Sequence, residues 1–299
     1  MAAACPRSKR APSCSLVFPA MPALIIEAGR TERHYWRDLW RYRELFYFLA
    51  WRDILVRYKQ TVIGVLWALV RPLVTMVVFT VLFGKVAGLA HPDAVPYLLL
   101  VCVGTMPWQF FATALSESSN SLLSNANLIS KVYFPRLIVP AGSVITSFVD
   151  FLITFLIMAA IMAWYRFVPD WRVLTLPLFI LLAFAAAMGA GLWLCSLNVQ
   201  YRDFRFIVPF VVQIGAFVSP VGMSKTVIMD HFRDWPMLCA LYNLNPMVGV
   251  IDGFRWALLR GQPPLSGEDL ACSVLVTLLL SASGVWYFRR TEKGFADVI

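Results

Sequence analysis

Charge is scarce in this 299-residue sequence: Asp, Glu, Lys and Arg together make up 14% of it, and the acids number 17. Histidine is rarer still, with three copies at His34, His91 and His231 far apart in the chain, which leaves no metal site or acid–base triad to assemble. No two glycines frame the Gly-x-x-x-x-Gly-Lys-Ser/Thr spacing of a phosphate-binding loop, so nucleotide hydrolysis by that route is excluded. The Gly-x-Ser-x-Gly elbow of serine hydrolases is absent too. The six cysteines include no Cys-x-x-Cys pair, and Cys102, Cys195 and Cys272 fall in apolar runs, so cysteine reads as a packing residue and not as a disulfide or metal ligand. Residues 1–30 hold no signal-peptide core, because Pro19 and Pro22 interrupt the apolar stretch there.

What the sequence has in excess is apolar side chains. They make up 60% of it, against roughly 45–50% in a soluble domain, and they are gathered into segments, which is the signature of a chain whose outer surface faces lipid. The net charge of +9 does not point to nucleic acid, because most of the basic excess precedes the first apolar segment, where it suits an anionic leaflet. Six stretches, at about 62–83, 95–115, 137–164, 174–197, 206–227 and 270–288, reach or approach the ~20 residues a helix needs to span the hydrocarbon core. With the N-terminus inside, eighteen Lys and Arg lie on the cytoplasmic side and seven outside, so an N-in, C-in topology is expected. The predicted fold is an all-α integral membrane protein of the bacterial inner membrane.

Before the first span, Tyr35, Leu39, Tyr42, Phe46 and Leu49 recur at alternating spacings of four and three, with Arg33, Arg37, Arg41 and Glu44 elsewhere on the turn. This predicts an amphipathic helix over 33–60, lying in the interface with Trp36, Trp40 and Trp51 at the headgroups. His34 and Asp38, one turn apart, belong to its solvated charged face. Residues 1–32 read as a disordered extension, with Met21 an alternative start, and 61–299 as one membrane domain. Between the last two spans, Asn245-Pro246-Met247 opens an apolar run interrupted by Asp252 and Arg255, which predicts a half-inserted or interfacial helix at the outer face and not a seventh span.

Two ionisable residues fall inside predicted spans. Counted at ~1.5 Å per residue, Arg71, followed by Pro72, lies ~14 Å from the cytoplasmic end of its span and Asp150 ~20 Å from the end of its own. Charge at that depth is costly enough to suggest a function. The two side chains can face each other or a polar conduit; alternatively Arg71 snorkels to the inner headgroups and Asp150 makes a structural hydrogen bond inside the bundle.

Several blocks, in order, resemble one family: Trp51-Arg52-Asp53-Ile54, Tyr58-Lys59-Gln60-Thr61 and Gly64-Val65-Leu66-Trp67; Ile129-Ser130-Lys131-Val132-Tyr133-Phe134-Pro135-Arg136; Asn198-Val199-Gln200-Tyr201-Arg202-Asp203-Phe204; Phe217-Val218-Ser219-Pro220; Asn245-Pro246-Met247; and the ending Phe295-Ala296-Asp297-Val298-Ile299. From about Tyr42 onward the chain resembles the ABC-2 type permeases that export lipid-linked polysaccharides such as O-antigen, capsule and teichoic acid. The resemblance implies a homodimer joined by two ATP-binding cassette subunits, with ATP and Mg bound by those partners and no cofactor in this chain. It implies a path for an undecaprenyl-type lipid-linked glycan through the membrane lipid, and no nucleic-acid partner. It makes the polar stretch 117–131, with Glu117, Ser118, Asn120, Asn125, Asn127 and Lys131, the segment that couples to the ATPase, where the residues alone allow a plain cytoplasmic loop. Trp67, Phe79, Phe83, Trp108, Phe110 and Phe111 become candidates to line a channel with Arg71 and Asp150, as against packing in lipid or between helices. Arg52 and Arg57 become candidates to guide a lipid diphosphate, as against binding headgroups in general. At Arg71 such permeases are expected to carry an uncharged residue such as Gln, so the charge here points to an anionic substrate. An ABC-2 exporter of drugs or small lipids, a membrane-embedded polyprenyl-sugar transferase and a scaffold are the other readings considered.

Overall fold

The computed structural model describes residues 35–59, 62–86, 88, 96–201, 203–225, 228, 229, 234–262 and 264–295, and at 62–68, 236, 238 and 240 the backbone alone. The extension expected at 1–32, the three histidines, the side chain of Trp67 and the closing 296–299 lie outside the described residues. Those described form helices and turns, with no strand among them.

The helix expected over 33–60 is two pieces, α1 (Tyr35–Arg41) and α2 (Arg43–Lys59), with a turn at Tyr42. The break is shallow, because Tyr42 N still bonds Asp38 O and Phe46 N bonds Tyr42 O, at 2.9 and 3.1 Å. Trp36, Trp40, Tyr47, Phe48 and Trp51 remain exposed on this segment. Next come α3 (Val62–Phe79), extended by a π-helical stretch (Thr80–Val86), α4 (Tyr97–Ser124), the single turn α5 (Ala126–Ile129), α6 (Ile138–Trp164) and α7 (Leu176–Gln200). The chain continues through α8 (Phe204–Val218), α9 (Pro236–Asn243), α10 (Pro246–Leu258) and α11 (Gly267–Thr291).

Among the described residues, five segments are long and apolar enough to cross a membrane: Leu69–Val86, Tyr97–Ser124, Ile138–Trp164, Trp171–Gln200 and Gly267–Gly294. The remaining predicted span, 206–227, corresponds to α8, which has 15 residues, or ~22 Å against the ~30 Å hydrocarbon core. It stops early because Pro220 has no N–H to continue the ladder after Ser219 N has bonded Gly215 O. Helix α4, by contrast, overruns its predicted end at 115 by two and a half turns. Ser118, Ser119, Ser121 and Ser124 return their hydroxyls to carbonyls three residues back, so a polar sequence stays helical where it is buried.

Helix α4 is the hub. Two thirds of its apolar window (67%) is buried, against 17–33% in the other spans, and it packs on α6, α7 and α10. Phe110, Phe148 and Phe151 cluster there with ring centroids 5.4–5.9 Å apart, and Phe254 of α10 meets Phe151 edge-on. The segment expected to be half-inserted or interfacial is carried inside: Met247–Arg255 is buried without a break, started by the Asn245 side chain accepting from Met247 N at 3.0 Å and by Pro246 at the first turn. Helices α7 and α11 meet through small residues, since a Cβ on Gly284 would stand 2.4 Å from Gly189 O. Gly284→Val is therefore expected to destabilise the fold by at least ~1–3 kcal/mol, read as a lower melting temperature in detergent, whereas Gly294→Ala, with open space at its Cβ, leaves that temperature unchanged.

Candidate functional site

A cavity of about 650 Å³ opens between α2, α3, α4, α6 and α8. Its apolar wall carries Trp108 of α4, Phe79 of α3 and Phe217 of α8, the last two stacked at 5.9 Å with their planes 21° apart. Its polar wall carries Gln109 and Thr113 of α4, Gln213 of α8 and Thr154 of α6. The threonine hydroxyls donate to their own helices, Thr113 to Gln109 O at 2.8 Å and Thr154 to Asp150 O at 3.0 Å, and keep lone pairs for a guest. The two glutamines add amide donors and acceptors, so the space is lined as a sugar would need, with flat apolar faces beside hydrogen-bonding groups.

At its rim stands a charged cluster joining three helices. Arg57 Nη1 of α2 donates to Asp150 Oδ2 of α6 at 2.6 Å, and Arg57 Nη2 to Glu117 Oε1 of α4. The Tyr58 hydroxyl donates to the other oxygen of Asp150. Burial first, and then its bond to Asp150, push the Tyr58 phenol well above its usual range, so it stays a donor. Arg71 faces the same cavity with an exposed side chain and no ion pair among the described residues. Arg52, one and a half turns before Arg57, points elsewhere: its Nη2 donates to Asn125 Oδ1 at 2.7 Å, where α4 ends. These contacts seat α2 antiparallel to α4 and parallel to the first half of α6, with Ala50 beside Gly142.

Beyond Asn125, the residues Asn127, Ser130, Lys131 and Val132 are exposed, and the stretch ends at a second junction. There Arg136 N donates to Glu292 Oε1 at 2.9 Å and the Arg136 side chain to Glu292 O, joining the start of α6 to the end of α11. Arg289 lies 4.6 Å over the Tyr35 ring and brings α1 to the same place.

Residues 44–259 match the sequence profile of a family described as ABC-2 type transporter. This chain belongs to the ABC-2 type transporter family. Among its relatives is the O-antigen export system permease protein RfbA of Myxococcus xanthus, 28% identical over 264 residues that cover 88% of this chain and 98% of that protein. Two proteins of that same description from Klebsiella pneumoniae are 24% and 25% identical, over 86% of this chain and 95% of theirs. With five helices among the described residues long and apolar enough to cross a membrane, this ABC-2 permease is a multi-pass inner-membrane protein and a transport component.

Set against the sequence-based candidates, the permease brings Arg71, Phe79, Trp108, Phe110 and Asp150 to one cavity, and adds Arg57. Asp150 meets Arg57, not Arg71. Phe111 leans on Trp108 behind the wall, at 5.6 Å between rings. Phe83 packs on Phe79 and against Gly222. Of the stretch 117–131, Glu117 reaches the cavity rim, Ser118 is fully buried, and Asn120 Oδ1 accepts from Asn198 Nδ2 of α7 at 3.0 Å. Tyr58, Gln109, Thr113, Gln213 and Phe217 were missed as lining residues. Gln109 and Thr113, four apart in an apolar helix, and Gln213 and Phe217, likewise four apart, carry the signal that could have found them.

Val221 lines the cavity too, and its carbonyl accepts from Arg255 Nη2 at 2.9 Å while Arg255 Nη1 bonds Met223 O at 3.0 Å. Arg255→Leu strands both carbonyls, at ~1–3 kcal/mol each. The expected outcome is a lower melting temperature together with faster protease cutting at 219–224, both measured on the purified permease.

Proposed function

We propose that this permease is the membrane subunit of an ATP-driven exporter that carries a lipid-linked polysaccharide of the O-antigen type from the cytoplasmic to the outer face of the inner membrane. Two copies of this chain work with two copies of a separate ATP-binding cassette subunit, which holds ATP and Mg. The observation that carries this reading is the cavity itself: aromatic faces and amide side chains for sugar rings and hydroxyls, with guanidinium groups for a lipid diphosphate. The names of the relatives agree with it.

Coupling follows from the two junctions. The exposed stretch around Asn127 and Lys131 docks on the ATP-binding subunit, and ATP binding there favours one arrangement of the pair. The displacement has two rigid links into the membrane: Arg52 on Asn125, which moves α2 at the cavity rim, and Arg136 on Glu292, which moves α11. This chain thus provides the path, while the partner provides the chemistry.

Reconstituted in lipid vesicles with the ATPase encoded beside it, the permease is expected to support ATP hydrolysis that rises when extracted lipid-linked glycans are added, and to support none alone. Failure of any ATPase to co-purify would sink the reading. Trp108→Ala is expected to cut export of the glycan about three- to tenfold through lost stacking, measured as surface glycan at matched expression. Leu156→Ala, whose side chain is exposed on the bundle's outer surface, is expected to leave export unchanged.

A further inference from the structure

Two guanidinium groups, Arg57 and Arg71, face the cavity, and two carboxylates, Glu117 and Asp150, face it with them. The pairing is uneven. Arg57 takes both carboxylates, one on each terminal nitrogen, from two different helices, and Tyr58 holds the second oxygen of Asp150. Arg71 has neither. A cavity that only had to attract an anion would be better served by the arginines alone, because each carboxylate at contact distance cancels the field an arriving phosphate feels. The acids also do more than orient Arg57. They close the guanidinium fork that would otherwise present its paired donors to a phosphate.

We propose that Glu117 and Asp150 are a built-in counter-ion pair that screens the cavity against the singly charged phosphodiester lipids of the surrounding bilayer and yields only to a more highly charged diphosphate headgroup. The inference rests on the reading above that an anionic lipid headgroup enters here. Phospholipid is present in vast excess over any lipid-linked glycan, so an unscreened pair of arginines within reach of its headgroups would be saturated by it. Displacing two carboxylates from Arg57 needs a ligand that offers more charge than one phosphodiester and spans to Arg71 at the same time. Once a diphosphate takes Arg57, the C-terminal end of α2 is released from α4 and α6, while Arg52 keeps its hold on Asn125. Selection and opening are then one event.

The test is binding of farnesyl diphosphate to the purified permease in phosphatidylcholine nanodiscs, with inorganic pyrophosphate, farnesol and phosphatidylglycerol as competitors. Wild-type protein is expected to bind farnesyl diphosphate, with pyrophosphate competing and farnesol and phosphatidylglycerol not. Glu117→Gln, whose half-exposed side chain makes it safe for folding, is expected to tighten farnesyl diphosphate by ~5-fold or more and to let phosphatidylglycerol compete. Asp150→Asn is expected to do the same, and Glu117→Gln alone decides if that variant fails to fold. In an Arg57→Gln background, Glu117→Gln is expected to have no effect. Unchanged or weaker binding in Glu117→Gln, with phosphatidylglycerol still excluded, overturns the screen while leaving the anion site standing, provided Arg57→Gln weakens the wild type. If farnesol competes as well as pyrophosphate, the anionic-headgroup reading itself fails and the screen falls with it.

Discussion

The guanidinium of Arg255 is wholly cut off from solvent, and the outer half of the bundle is arranged around it. It donates to the backbone carbonyls of Val221 and Met223, with a longer contact to Leu100 O, and Asp252 one turn back stands 3.9 Å away as its counter-charge. A helix that ends inside a bilayer leaves carbonyls that water cannot reach, and a side chain must answer them. Here α8 stops short at Pro220, and Arg255 answers for the loop that follows, with Tyr97 donating to Gly222 O between the two sites. This is why α10 is buried inside the bundle: its arginine has to reach the loop from within. The close approach also forbids a side chain at residue 104, where a Cβ would stand 2.6 Å from the guanidinium.

The inner half is organised by the complementary device, in which charges tie helices that hydrophobic packing alone would leave free to slide. In lipid, apolar contact between helices gains little over apolar contact with acyl chains, so position is set by small-residue contacts and polar links. Gly189 against Gly284 registers α7 on α11, Asn198 registers α7 on α4, and Arg52 and Arg57 register α2 on α4 and α6. These polar links locate α2 and the start of α6 from their ends. The large aromatic core between α4, α6, α7 and α10 packs without such links among the described residues.

The membrane character, the approximate places of the long helices and the family blocks were legible in residue order, because each depends on composition or local spacing. Run length and basic flanks suffice for a span, and they failed where tertiary contacts intervene. The serines at 118–124 read as a loop and are helix, because α7 buries Ser118, Ser119 and Ser121. Residues 206–227 read as a full span, but α8 ends at Val218, because Pro220 stops its ladder and Arg255 of α10, distant in sequence, satisfies the loop carbonyls that follow. The candidate aromatics could not be sorted by spacing, since a lipid-facing Phe and a cavity-facing Phe have the same neighbours in sequence. It took the packing of α8 onto α3 to put Phe79 at the wall and the packing of Phe83 on Gly222 to remove it.

What the sequence by itself determined is an all-helical membrane permease, since hydrophobic run length and local family blocks are properties of the chain read in one dimension. What only the tertiary structure decided is which charges meet. Arg57 and Asp150 are 93 residues apart and Arg57 and Glu117 60, and a salt bridge falls off over a few ångströms. Their pairing therefore exists only once three helices have been placed side by side, and so does the cavity they guard.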